Sequence, residues 1–131
     1  MSNQTFEAEA SAAWDGLLVQ YRPPEAPDDW ASRSMWPLVQ AAASVPRLRS
    51  LYPWTSHSSL NFSLSQSFRD WGTEGFPGIH AGPGLYSVLA FPWRDNRVLL
   101  ATADSTEAVT FVDQWFRDNA AGQEPGRRSE E

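Results

Sequence analysis

The sequence predicts an α+β domain: helices packed on one face of a three- to four-stranded, mostly antiparallel sheet, in the order ααβββα. Three observations carry that prediction. Residues 5–21 repeat apolar side chains at helical spacing, residues 85–102 read as a β-hairpin, and residues 104–116 combine a capping sequence with an amphipathic run.

In the first helix, Phe6, Ala10, Trp14, Leu17, Leu18 and Tyr21 share a face, with Glu7, Glu9, Asp15 and Gln20 largely off it. Pro23-Pro24 closes the helix, and its early acids suit the positive end of the helix dipole. Residues 22–29 form a stiff, extended linker with Asp29 as a cap for a second helix over 30–45. Pro37 belongs in that helix's first turn or divides a short lead-in from the main helix, where Trp36, Val39 and Ala43 share a face. Leu60, Phe62 and Leu64 alternate with Asn61 and Ser63, the pattern of a half-buried strand. After an irregular passage, residues 79–81 suggest a short strand, and Gly82-Pro83-Gly84 turns the chain. Residues 85–91 and 97–102 pair across Arg94-Asp95-Asn96. Asp104 to Glu107 start the last helix, whose buried side carries Ala108, Val112, Trp115 and Phe116. Residues 1–119 thus make a single domain, and residues 120–131, which lose periodicity, a disordered tail.

Composition narrows the chemistry. The chain is 41% hydrophobic and 13% aromatic, inside the globular range, and its seven tryptophans and seven phenylalanines can close a modest core. A net charge of −6 argues against a nucleic-acid partner, which needs a basic face. All ten basic residues are arginine, so neither a Schiff base nor a phosphate-loop lysine is available. With no cysteine and two histidines, thiolate chemistry is excluded and no metal is expected. The start has no signal-peptide character and no apolar run reaches membrane-spanning length, so a cytoplasmic protein with no membrane partner is expected.

Functional chemistry concentrates in residues 46–64. Arg47, Arg49, Tyr52, Thr55, Ser56 and His57 fall within eleven positions, on a segment stiffened by Pro53 that feeds a strand. Arginines there can hold a carboxylate, a phosphate or a developing enolate, while His57 or Tyr52 moves a proton. The same residues equally suit structural work: the hydroxyls as turn caps, the arginines as salt-bridge partners of Asp28, Asp29 or Asp113. The loop over 65–78 places Phe68, Trp71 and Phe76 among Arg69, Asp70 and Glu74, with Gly72, Gly75 and Gly78. It reads either as a flap over a peptide or a ring, or as a loop pinned to the body by its aromatics. Nothing distinguishes Asp70 and Glu74 from surface charges as a glycosidase pair, and no GxSxG elbow supports a serine triad around Ser56-His57-Ser58.

The run Leu48-Arg49, Leu51-Tyr52-Pro53-Trp54, Thr55-Ser56-His57 and Leu60-Asn61-Phe62-Ser63 resembles a motif of small actinobacterial proteins of largely unknown function associated with natural-product biosynthesis. The similarity continues more loosely through 85–89 and the helix start Thr106-Glu107-Ala108-Val109, covering most of residues 10–117. That family is in turn similar to the proteins of cinnamycin- and duramycin-type lantibiotic clusters that form lysinoalanine bridges. The resemblance implies a homodimer that adds a lysine amine of a modified precursor peptide to a dehydroalanine in the same peptide, with no metal or cofactor. On that reading Arg49 binds the enolate and His57 or Tyr52 transfers the proton. Arg47, Thr55 and Ser56 line the pocket and, with Phe68, Arg69 and Trp71 from the loop, hold the peptide. The rival reading is a noncatalytic module that binds a peptide or another biosynthetic protein. The two differ in whether Arg49, Tyr52 and His57 converge.

Overall fold

Apolar spacing sets the helices. The computed structural model describes residues 3–24, 29–71, 73–92 and 94–119, apart from the side chains of Asn3, Gln4 and Phe68. Helix α1 (Asn3–Gln20) buries Phe6, Ala10 and Trp14, one helical turn apart. Helix α2 (Trp30–Ala43) is capped by Asp29, whose carboxylate accepts the Ser32 N–H at 2.8 Å.

Pro37 stands neither in the first turn of α2 nor at a break, the two predicted places: the helix runs unbroken through it. The proline has no N–H for the carbonyl one turn back, a cost of about 3 kcal/mol in a helix interior. Met35, Leu38, Val39 and Ala42, on both sides of it, are buried to 1% exposure or less. At about 1.5–3 kcal/mol for each large side chain, that stripe outweighs the defect. It lies one position off the predicted face, so that Trp36 and Ala43 are only half-buried. A short helix that the sequence did not predict, α3 (Pro46–Arg49), starts on Pro46, where a missing N–H costs nothing, and buries Leu48.

The sheet has five strands where three or four were expected: β1 (Tyr52–Ser56), β2 (Ser59–Ser63), β3 (Gly78–Gly82), β4 (Leu85–Phe91) and β5 (Asp95–Thr102), an antiparallel meander in chain order. The extra strand is β1, which the sequence presents as a functional segment. Pro53 is tolerated because β1 lies at the sheet edge. The segment pairs with β2 in the register Pro53↔Phe62 and Thr55↔Leu60. Between them His57 takes φ 55, the left-handed value a two-residue hairpin demands at its first position. Pro83-Gly84 joins β3 to β4 with Gly84 at φ +73, the type II arrangement. Strand β5 begins at Asp95, inside the predicted turn, and its register with β4 shifts around Leu89.

Helix α4 (Ser105–Asp118) is capped by Asp104, which accepts the Thr106 N–H at 2.9 Å, and buries Ala108, Val109, Val112 and Phe116. Helices α1, α2 and α4 cover one face of the sheet, where Leu60, Phe62, Ile79, Ala81, Tyr86 and Val88 meet Trp14, Met35 and Val112. The α+β class is therefore as predicted. Trp14, fully buried, gives its indole N–H to the Leu51 carbonyl at 3.0 Å, tying α1 to the start of β1. Among the described residues no helix is long and apolar enough to cross a membrane. The predicted tail at 120–131, residues 25–28 of the linker and Gly72 of the loop lie outside the described residues.

Candidate functional site

Alternation along β1 and β2 sends every second side chain to the face away from the helices. Tyr52 opposite Ser63 and Trp54 opposite Asn61 lie there, as does Ser59 opposite His80 on β3. Polar residues on an outer face ordinarily meet water. Here Asn61 is 3% exposed and Ser63 0%, because the loop over 64–77 crosses above them.

Two anchors hold that loop down. The Glu74 carboxylate accepts the Ser63 hydroxyl and the Leu64 N–H through one oxygen, both at 2.8 Å. Trp71 lies over the first two strands, stacked on Trp54 (centroids 5.5 Å, planes 9° apart) and on Tyr52 (5.8 Å, 24°), with its indole N–H on the Ser65 carbonyl at 3.1 Å. Phe6 of α1 extends the row of rings at 6.5 Å from Tyr52. Phe76 then turns inward, edge-on to Phe116 at 4.9 Å, and brings the chain to β3. The loop is thus pinned by the described aromatics, the second of its two predicted readings.

Beside Trp54 the loop leaves a small recess, with room for about one water-sized group and partly open to solvent, between Asn61, Glu74, Phe76, Phe91 and Pro92. Hydroxyl bookkeeping orients the amide inside it. The single proton of Ser59 Oγ goes to the Ser56 carbonyl at 2.7 Å, so toward Asn61 that oxygen can only accept. It takes the Asn61 amide N–H at 3.2 Å, which turns Asn61 Oδ1 away from Ser59. That oxygen is buried and has no hydrogen-bond partner. It occupies the place of a side chain at Gly78, where a Cβ would overlap it and stand 2.8 Å from Pro92 Cγ.

The predicted site residues divide among separate surroundings. Arg49 reaches back to α1, with Nη2 at 2.9 Å from the Asp15 carboxylate and 3.2 Å from Ser11 Oγ. Arg47 turns toward α4, where it and Arg117 share Asp113 at 3.4 and 2.9 Å. Tyr52 belongs to the ring row on the outer face. His57 sits exposed at the β1–β2 turn, five residues on from Tyr52, about 16 Å at strand rise. Thr55 is half-buried on the helix-side face, while Ser56 lends its carbonyl to Ser59. Arg69 is exposed on a single 3₁₀ turn, Phe68–Asp70. Of the candidates, the structure brings together Tyr52 and Trp71, and their common neighbour is Trp54.

The sequence reading named Trp54, Asn61 and Gly78 without making them site residues, and did not distinguish Glu74 from a surface charge. Glu74 is instead a half-buried anchor of the loop. The available signal was Asn61 itself, a residue with four hydrogen-bonding positions between two core positions of a strand. Among the described residues, no three His, Asp or Glu side chains are grouped as metal ligands.

Fold and site together define an α+β domain with a helix layer on one sheet face and an aromatic, acid-anchored loop on the other. Over residues 9–115 the chain matches the family described as "Family of unknown function (DUF6193)", and it belongs to that family. No curated protein and no solved structure matches it.

Proposed function

We propose that this protein is a cytoplasmic, noncatalytic module that binds a modified precursor peptide during ribosomal-peptide biosynthesis. The observation that carries the reading is the row Tyr52, Trp71, Trp54 on an outer sheet face, beside a small recess: Tyr52 and Trp71 are half-exposed, stacked over a buried Trp54, and such a ring surface suits an extended or cyclised peptide. The connection with peptide biosynthesis rests on the resemblance of residues 46–63.

Lysinoalanine formation by the protein itself would ask for a cation at the enolate and a proton carrier at the α-carbon in one place. Arg49 is tied to Asp15, and His57 stands at a turn about five strand positions from Tyr52. That separation favours binding over turnover.

The test incubates the protein with a dehydrated lantibiotic peptide containing lysine and dehydroalanine, and follows binding by fluorescence anisotropy and the alkene by thiol addition. Saturable binding with the alkene intact is expected, weakened by Trp71→Ala and unaffected by Arg49→Ala or His57→Ala. Consumption of the alkene at constant peptide mass would make the protein a catalyst and overturn the proposal. So would the absence of any binding.

A further inference from the structure

We infer that Arg47 and Arg117, held side by side by Asp113, form a binding site for the phosphate group of a small molecule. The site lies between α3 and α4 and does not depend on the peptide reading of the outer sheet face.

The local chain sets the pair up. Pro46 starts the single turn of α3, which buries Leu48 and so turns Arg47 outward, toward α4. On α4, Asp113 and Arg117 are one turn apart and bonded, Arg117 Nη2 to Asp113 Oδ2 at 2.9 Å. Arg47 Nε approaches the other oxygen, Oδ1, at 3.4 Å. The acid is withdrawn, its side chain 13% exposed, while the Arg47 and Arg117 side chains are 42% and 57% exposed.

A tie between α3 and α4 needs one arginine on that acid. The second leaves a surplus: two guanidiniums against one carboxylate sum to +1 (2 − 1), on a chain whose net charge is −6. Each cation is only partly engaged. Arg117 spends one N–H on Asp113, and Arg47, whose ion pair lacks hydrogen-bond geometry, makes no side-chain hydrogen bond among the described residues. Two like charges kept this close repel, and an oxyanion between them replaces the repulsion by two attractions. The neighbouring acids do not fill that role: Asp15 is taken by Arg49, and Asp118 by Gln114.

Shape and charge select the anion. A carboxylate holds its two oxygens in one plane and is matched by a single guanidinium fork. A phosphate points its oxygens in tetrahedral directions, so it can accept from two arginines on different elements at once, and its second charge suits the pair. The acidic chain as a whole repels an extended polyanion or an anionic membrane. A small phosphate within a screening length feels mainly the two cations.

The test titrates the full-length protein with inorganic phosphate at constant ionic strength and follows the arginine Nε–H resonances. Those of Arg47 and Arg117 are expected to shift together along one saturable curve. That of Arg22, whose side chain is exposed and unpaired among the described residues, should stay in place. Acetate should bind about fivefold more weakly or worse. Arg117→Gln should weaken the phosphate response of Arg47 by roughly tenfold or more, and Arg47→Gln that of Arg117. Because either substitution also removes part of the α3–α4 tie, the thermal midpoint of each variant is read with and without phosphate: that of the parent should rise with the ligand, and those of the variants should not. An equal shift at Arg22, a response that does not saturate, acetate acting as strongly as phosphate, or an unchanged affinity in either variant overturns the assignment. None of these outcomes bears on peptide binding at the ring row, which the dehydrated peptide tests separately.

Discussion

Strand β2 is closed to water on both faces, by opposite means. On the helix side, Leu60 and Phe62 are at 0% and 2% exposure beneath Trp14, Phe116 and their neighbours. On the other side, Asn61 and Ser63 are at 3% and 0%, beneath a loop that holds on through a carboxylate and one stacked tryptophan. The first closure is apolar and space-filling, and its stabilisation scales with the area removed from water. The second is a set of directed bonds, with one acceptor left over. Stability is concentrated on the helix side and, on the reading proposed above, recognition on the loop side, so substitutions on the two sides should separate the two quantities.

The largest expected effect is on the helix side. Trp14→Ala removes a fully buried indole and leaves the Leu51 carbonyl without its donor. Losses of about 3–5 kcal/mol are typical of such truncations, a large part of the stability of a domain this size. Urea unfolding should show the midpoint falling at an unchanged slope. At a temperature where the variant is folded, its affinity for the peptide should equal that of the parent. A stability loss below about 1 kcal/mol would mean that the helix-side core is not the dominant closure.

A smaller loss, on the loop side, should behave the opposite way. Gly78→Ala pushes a methyl group into Asn61 Oδ1 and Pro92, an overpacking that costs about 1–3 kcal/mol. Because the displaced atoms line the recess, binding should suffer more than folding does. Calorimetric unfolding and peptide titration on the same sample compare the two. If the variant folds and binds like the parent, Asn61 and Pro92 yield easily and the recess is less defined than its geometry indicates.

How far the sequence reaches follows the same division. Periodic apolar stripes announced α1, α4 and strands β2 and β4, because one residue type repeated at a fixed interval encodes which side is buried. Pro37 misled because a local rule was overridden by four buried side chains flanking it. The first strand was missed for a related reason: its proline and hydroxyls, just after two arginines, look like loop chemistry, and only pairing with β2 makes residues 52–56 a strand. Arg47 and Arg49 were singled out for their charge; their alternative reading as salt-bridge partners, with Asp113 among the acids named, holds for Arg47, while Arg49 pairs with Asp15, an acid not named for it and far away in sequence. Trp71 was legible as a loop aromatic. The Asn61 acceptor was not, since its isolation depends on where the Ser59 proton goes and on which residue faces it across the strands.

The smallest predicted effect tests a second polar tie within the helix-side closure, besides that of Trp14 to Leu51. Tyr86 is buried and donates its hydroxyl to the Ser34 carbonyl at 2.7 Å, linking β4 to α2, and burial raises its pKa above the usual tyrosine value. Replacing it by phenylalanine should cost about 1 kcal/mol at neutral pH. The pH dependence gives a second reading. A phenol whose pKa is higher in the folded than in the unfolded chain contributes stability that is fully present below the unfolded pKa, about 10, and is lost as pH rises through the folded value. The parent should therefore lose stability above about pH 10 more steeply than Tyr86→Phe, and the gap between them should narrow. Parallel stability curves through that range would mean that the hydroxyl gains nothing from its place under α2. Apart from the Trp14 indole on the Leu51 carbonyl, the helix-side face would then be held by apolar contact, and the contrast with the loop side would be sharper still.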